Sequence, residues 1–247
     1  MVVLTKSAVL IGDDIIWKQV KSVMRKEFYQ NYIKRFFDIL LCSFALVVLS
    51  PFFLITAIAI KLSSSGPIFY YSMRLGKGKV PFRFYKFRSM HEAKGNDKGL
   101  CIADEERVFT VGKIIRRLKI DELPQLINVI KGDMSIVGPR PMVANGKDDF
   151  YSGPYESITT IRPGLTSAAS LYDYTVGDAY EDEAKYRTEV VPIKLEMELY
   201  YVKHESLYYD ICLIIRTIKT IILKLLSVKT FRDQPELALI NRKPPES

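Results

Sequence analysis

Charged and polar residues are interspersed with hydrophobic ones along most of this chain, but one stretch has no charge at all. From Ile39 to Ile60 (ILLCSFALVVLSPFFLITAIAI) no charged residue occurs, a run long enough to cross a hydrocarbon layer of roughly 30 Å. Ser50-Pro51 lies at its midpoint, where proline deletes a backbone hydrogen bond and bends a helix. Lys34 and Arg35 precede the run and Lys61 follows it, so both ends carry the charge that favours the cytoplasmic side. A re-entrant helix over 32–62, broken at Ser50-Pro51 and returning to the face it entered, satisfies both features. The Ser50 hydroxyl would cover the carbonyl that Pro51 frees. A kinked transmembrane helix and a buried core helix are the alternatives.

The other elements follow from shorter patterns. Residues 1–31 form a mixed leader of unassigned role, with a surface helix over Asp14–Phe28. Ser63–Gly66 and Pro67 stop the apolar helix. Strands are predicted at Ile68–Tyr71 and at Phe82–Phe87, where aromatic and basic residues alternate. The Gly76-Lys77-Gly78-Lys79 turn between them lacks P-loop spacing and reads as a solvated hairpin tip. His91–Glu106 reads as a polar loop and Val111–Leu118 as a short basic amphipathic segment. A short helix runs from Pro124 to about Ile130 and stops at Gly132, a longer one spans Glu181–Val202, and an apolar helix with scattered charge covers Tyr209–Leu226. That last helix suits a membrane interface or a protein core with snorkelling lysines. Residues 229–247 read as a flexible tail. The fold class is α/β, mostly helical with a small hairpin, and 63–228 forms the cytoplasmic catalytic domain.

Composition narrows the partners. The 247 residues carry a formal charge of +8 with a mean hydropathy of +0.05. Such a surface attracts nucleic acid, phosphorylated metabolites or acidic membrane. The three cysteines show no paired spacing, so a reducing compartment is the default, and two histidines argue against a zinc site. No secretory signal is recognisable at the amino end.

Candidate chemistry concentrates in Lys119–Pro141. Asp121 and Glu122 stand before a helix amino end, and Gly138-Pro139-Arg140-Pro141 presents one arginine from a rigid turn. Capping by Asp121 and dipole compensation by Glu122 explain the pair by itself. With Arg116, Arg140, Lys86 and Arg88 in company, the pair instead suggests phosphate chemistry. Among these cations Asp121 is expected to have a lowered pKa and to act as a nucleophile, while Glu122 and Asp121 hold Mg²⁺ against a diphosphate.

RRLKIDELPQLINVIKGDMSIVGPRP resembles the signature of the bacterial sugar transferase family, the monotopic phosphoglycosyl transferases. KRFFD, SSSGPIFY, SMRLGKGKVPFRFYKFRSM, RPGLT and YVKHESLYYDICLIIRTI resemble further blocks of that family, and the likeness covers about Tyr32–Leu226. It implies attack by Asp121 on a nucleoside diphosphate sugar, usually a UDP-sugar, and transfer of the sugar phosphate from Asp121 to polyprenyl phosphate. It further implies assistance by Glu122 with Mg²⁺, phosphate binding by Arg116 and Arg140, and site roles for Lys86, Arg88, Pro139 and Asp210. Ser50 and Pro51 would form the membrane kink of a monotopic protein on the cytoplasmic face of the inner membrane. The expected partners are the nucleotide sugar, the polyprenyl carrier and lipid, not nucleic acid; a homo-oligomer is compatible with all of this. The chain departs from the family at Thr166–Leu171 and in the acidic, tyrosine-rich segment Tyr172–Arg187, which leaves the donor sugar open. A non-catalytic, membrane-anchored scaffold that binds anionic lipid is the rival reading.

Overall fold

The uncharged run folds as helix α1 (Lys34–Ser63), entered through a π turn at Tyr29–Ile33 from a helical segment that starts further upstream. The computed structural model describes residues 20–21, 23–91, 107–144, 150–177, 180, 182–226 and 234–240. The expected break at Ser50-Pro51 is a missing rung inside one continuous helix. Pro51 leaves the Val47 carbonyl without its N–H partner, and the Ser50 hydroxyl donates to that oxygen at 2.8 Å, so helical geometry continues across the proline.

Only one stripe of α1 is covered. Lys34, Asp38, Cys42, Thr56 and Ile60 are buried at helical spacing, whereas Phe36, Leu40, Phe44, Val48, Phe52, Ile55 and Ile58 are exposed. The stripe docks along the rest of the molecule over its whole length. Cys42, Leu46 and Leu49 pack with Phe82, Phe84, Leu126, Val129 and Met134. Further along, Phe53 and Ile60 pack with Phe87, Phe109 and Ile115. The apolar helix and the domain that follows it therefore share their cores.

Strands β1 (Phe69–Leu75) and β2 (Pro81–Phe87) form the predicted antiparallel hairpin, in register from Phe69↔Phe87 to Leu75↔Pro81. Alternation puts Phe82, Phe84 and Lys86 on one face: the two rings enter the core and Lys86 points along the same side. Arg88, expected at the substrate, is placed elsewhere. Its guanidinium is buried and donates to the carbonyls of Ser64 and Ser65, at 2.8 and 2.6 Å. It thereby ties the end of α1 to the hairpin, because the turn after a helix leaves carbonyls that need donors.

Helix α2 (Thr110–Arg117) leads through a 3₁₀ turn (Ile120–Glu122) into α3 (Gln125–Lys131), which ends at Gly132 with φ +96° as predicted. Two three-residue strands, β3 (Ser135–Val137) and β4 (Gly164–Thr166), pair in parallel. Helix α4 (Ala168–Thr175) follows, then one helical turn and a π turn that open α5 (Val191–His204), and then α6 (Leu207–Leu225). Within the stretch 229–247 that was expected to be a flexible tail, residues 234–240 carry α7 (Pro235–Leu239); the rest of that stretch lies outside the described residues. Leu237 is buried among Ala169, Tyr172, Ile193 and Met197, and Glu236 receives Arg216 at 2.6 Å and the Tyr209 hydroxyl at 2.9 Å. Leu237, with Ile240 packed beside it, and the Arg216–Glu236 ion pair hold a segment too short to show periodicity.

Asp210 is likewise structural where a substrate contact was expected. It forms a buried ion pair with Lys34 and accepts from the Tyr29 and Tyr201 hydroxyls at 2.7 and 2.6 Å, fastening the start of α6 to the start of α1. Arg35, the next residue, donates to the carbonyls of Val129 and Ile130 at the end of α3, where a cation suits the negative end of the helix. Asp38 accepts from the Ile136 amide at 3.0 Å. The exposed face of α6 carries Ile211, Ile215, Ile218, Ile222 and Leu225, a continuous apolar stripe.

Candidate active site

Helix α2 ends with Lys119 in a left-handed conformation, φ +57°. This reversal turns the next two side chains inward, so that Asp121 is 7% exposed although charged. Asp121 is not a helix cap: α3 begins after Pro124, and no side chain caps it. The Asp121 Oδ2 atom lies 3.6 Å from Lys86 Nζ, and its Oδ1 atom is buried without a hydrogen-bond partner. Glu122 Oε1 is gripped from two sides, by Lys86 Nζ at 3.1 Å and Arg140 Nη2 at 3.2 Å. The hairpin, the 3₁₀ turn and the Gly138–Pro141 turn thus meet at these two carboxylates.

The environment drives the two acids apart. Burial raises the Asp121 pKa, and neighbouring Glu122 adds to the rise; Lys86, and less strongly Lys119 and Arg116, work against it. The expectation of a lowered value is reversed, because desolvation of the carboxylate outweighs cations that do not make close contact. Burial also opposes ionisation of Glu122, but Arg140, Lys86 and Lys119 overcome it and hold this carboxyl far below the usual range. The two shifts run in opposite directions, Asp121 upward and Glu122 downward, which separates the members of the pair.

Arg140 is fixed by its backbone as well as by its proline neighbours. Its N–H donates to Glu198 Oε1 at 3.2 Å, and its carbonyl accepts from the Tyr151 hydroxyl at 2.9 Å. Gly138 and Pro139 are bolted to β4 through Gly138 N–H to Thr166 O, 3.0 Å, and Gly164 N–H to Pro139 O, 2.8 Å. The two backbones approach so closely that a Cβ on Gly164 would stand 2.1 Å from the Gly138 nitrogen; only glycine fits there. A small cleft beside the turn is lined by Leu75, Gly76, Pro139, Arg140, Tyr151 and Ile158.

Of the residues singled out in the sequence, Asp121, Glu122, Lys86 and Arg140 converge, and Pro139 shapes the turn. Arg116, half-buried on α2, acts on Asp121 through its charge. Arg88 and Asp210 lie apart, in the two clamps described above. The sequence reading missed Lys119, Tyr151, Ser167 and Glu198. Glu198 offered one signal: it falls beside the Ile193, Met197, Tyr201 stripe of α5, on the buried side of the helix. It is 3% exposed, accepts from Ser167 Oγ at 2.9 Å, and has an unpartnered Oε2. Burial pushes its pKa up to about 7.

Among the described residues no group of three or more acidic, histidine or cysteine side chains converges on one point. The Asp121–Glu122 pair nevertheless fits a hard divalent cation. It offers adjacent carboxylate oxygens, one of them without a protein partner, and such an ion commonly takes its remaining ligands from phosphate and water.

The sequence profile of the bacterial sugar transferase family matches residues 29–224. The chain is 39% identical over 213 residues to the UDP-N-acetylgalactosamine-undecaprenyl-phosphate N-acetylgalactosaminephosphotransferase of Aeromonas hydrophila; the match covers 85% of this chain and 48% of that protein, so the chain spans about half of that relative. It is 35% identical over 193 residues to the UDP-glucose:undecaprenyl-phosphate glucose-1-phosphate transferase of Caulobacter vibrioides, covering 76% of this chain and 69% of that one. An exopolysaccharide production protein of Sinorhizobium fredii is 34% identical over 206 residues, with 77% and 85% covered.

Proposed function

The chain belongs to the bacterial sugar transferase family, and from that premise we propose that it moves a sugar-1-phosphate from a UDP-sugar to a polyprenyl phosphate such as undecaprenyl phosphate, an opening step of exopolysaccharide or related glycan synthesis. The observation that carries the reading is the buried Asp121, one oxygen unpartnered and the other facing Lys86, beside a Glu122–Arg140 pair. In the first half-reaction an ionised Asp121 oxygen attacks the β-phosphorus of the donor. The bond from that phosphorus to the bridging oxygen breaks, its electrons leave with UMP, and the phosphosugar stays on Asp121 as an acyl phosphate. In the second, a phosphate oxygen of the polyprenyl carrier attacks the same phosphorus and expels the Asp121 carboxylate. The product is a polyprenyl diphosphate sugar.

Burial makes Asp121 a stronger nucleophile once ionised, since a desolvated carboxylate is poorly stabilised. Lys86 and Arg140 place two cations where the charge of the diphosphate gathers, and Arg116 adds a third within reach. Glu122 holds Lys86 and Arg140 in position between turnovers. Asp121 and Glu122 would also hold Mg²⁺, which when bound neutralises diphosphate charge and aids departure of the nucleotide. Opposite the docked stripe, α1 carries a continuous apolar face, and α6 carries another. Together they support association with a membrane. The cations at both ends of α1, Lys34, Arg35 and Lys61, and the ladder bond missing at Pro51 are the grounds for proposing a monotopic, re-entrant α1 with the active site on the cytoplasmic side of the inner membrane.

Incubation of the membrane-reconstituted protein with UDP-N-acetylgalactosamine or UDP-glucose and Mg²⁺ should release UMP and add one phosphosugar to the intact mass. Asp121→Asn should abolish both; an adduct that survives this change removes Asp121 from the nucleophile's place. A lipid-binding scaffold would release no UMP from any donor.

A further inference from the structure

Both backbone polar groups of Arg140 are held by side chains from outside its turn. Glu198 of α5 takes the N–H and Tyr151 supplies a donor to the carbonyl. Glu198 is in turn oriented by Ser167, the first residue beyond β4 and the cap of α4. A buried carboxylate with an oxygen left unpartnered is a costly thing to keep in a core. Placing a neutral or apolar residue there would relieve that cost, yet the hydrogen bond it makes reaches only the backbone of Arg140 and the Ser167 hydroxyl.

We infer that Glu198, with Tyr151 and Ser167, is a positioning residue of the transfer reaction: it sets the main chain of Arg140 so that the guanidinium meets the diphosphate. The inference rests on the function proposed above. Pro139 and Pro141 fix the φ angles at their own positions, and the β3–β4 pairing fixes the turn's entrance. Two peptide planes flank Arg140. The first is held at the Pro139 carbonyl by Gly164 N–H and at the Arg140 N–H by Glu198. The second is held at the Arg140 carbonyl by Tyr151, so Glu198 and Tyr151 supply the side-chain restraints next to the Arg140 Cα. A small rotation there swings the far end of a long side chain by about an ångström, and errors of that size are enough to reduce a rate about 100-fold.

The experiment is a double-mutant cycle on the full chain in membrane, following single-turnover adduct formation on Asp121 with UDP-N-acetylgalactosamine or UDP-glucose. Glu198→Gln retains an acceptor at Oε1 and should stay within about threefold of wild type. Glu198→Leu has similar volume but no acceptor, and should slow the step by about 10- to 100-fold with little change in donor KM. In an Arg140→Ala background the same Glu198→Leu change should cost less than about twofold, since the group it orients is gone. Tyr151→Phe, which removes only the hydroxyl, should show the same non-additivity with a smaller loss, and it decides the question if Glu198→Leu does not fold. Equal losses in both backgrounds, or a folded Glu198→Leu protein at the wild-type rate, would overturn the inference. If Asp121→Asn still forms the adduct, it is the proposed function that fails.

Discussion

The two carboxylates at the centre of this protein differ in environment although they are neighbours in sequence. Asp121 has lost water and gained cations that do not touch it, the foremost, Lys86, at 3.6 Å; Glu122 has lost water and gained two in close contact. Contact distance therefore decides the sign of each shift. Glu198 makes the same point outside the catalytic pair. Its folded-state pKa of about 7 lies above the 4.5 of an unfolded glutamate, so the native state keeps a proton that the unfolded state has released. Stability should then fall as pH rises from about 4.5 to about 7 and level off above that, a total of roughly 3 kcal/mol. Thermal melts of Glu198→Gln against wild type should accordingly coincide near pH 4.5 and separate by pH 8, with the variant the more stable. Melts that run parallel across this range would show that Glu198 titrates normally. At this scale the sequence could be read for residue type but not for burial. The lysines and arginines around Asp121 were visible, and the desolvation that overrides them was not.

Elements carry the geometry of the site through a few contacts that tolerate no change. At the β3–β4 junction, Gly164→Ala would drive a methyl group into the Gly138 backbone. It should cost roughly 1–3 kcal/mol of stability and disturb the Arg140 turn, lowering adduct formation more than Tm alone accounts for. At the α1–α6 clamp, Asp210→Asn leaves Lys34 as a buried charge without its ionic partner and should lower stability by about 3 kcal/mol. The donor KM should not move, and a changed KM would return Asp210 to the substrate. The strong elements were legible: α1 from its missing charges, the hairpin from its alternation, and the end of α3 from Gly132. Strands β3 and β4 were not, since three residues give no period and parallel pairing joins segments far apart in sequence. Arg88 and Asp210 show the corresponding limit for residues. A buried structural ion pair and a ligand-binding charge look alike in one dimension, and the fold alone assigns them.

At the scale of the whole molecule, the exposed apolar faces of α1 and α6 require a cover that the described residues do not supply, and a large contiguous face of this kind marks an interaction surface. A re-entrant α1 has both ends on one side of the bilayer. With the native cysteines replaced, Glu27→Cys and Ser65→Cys should therefore react with an impermeant maleimide in inside-out vesicles and be protected in intact cells. Labelling of the two positions from opposite sides would establish a span instead.

The stripe of α1 that completes the hydrophobic core also sets what can be removed from this protein. Cys42, Leu46 and Leu49 supply one wall of the packing around Leu126 and Val129, and Arg35 closes the end of the helix that follows the catalytic turn. Trimming the apolar segment to obtain a water-soluble enzyme would strip out part of the enzyme itself, and what remained would expose the underside of its own active-site helix. By the same logic, a newly made chain has no finished candidate site until α1 has docked on the domain: settling of the greasy helix and assembly of the site are one event, without a switch to separate them.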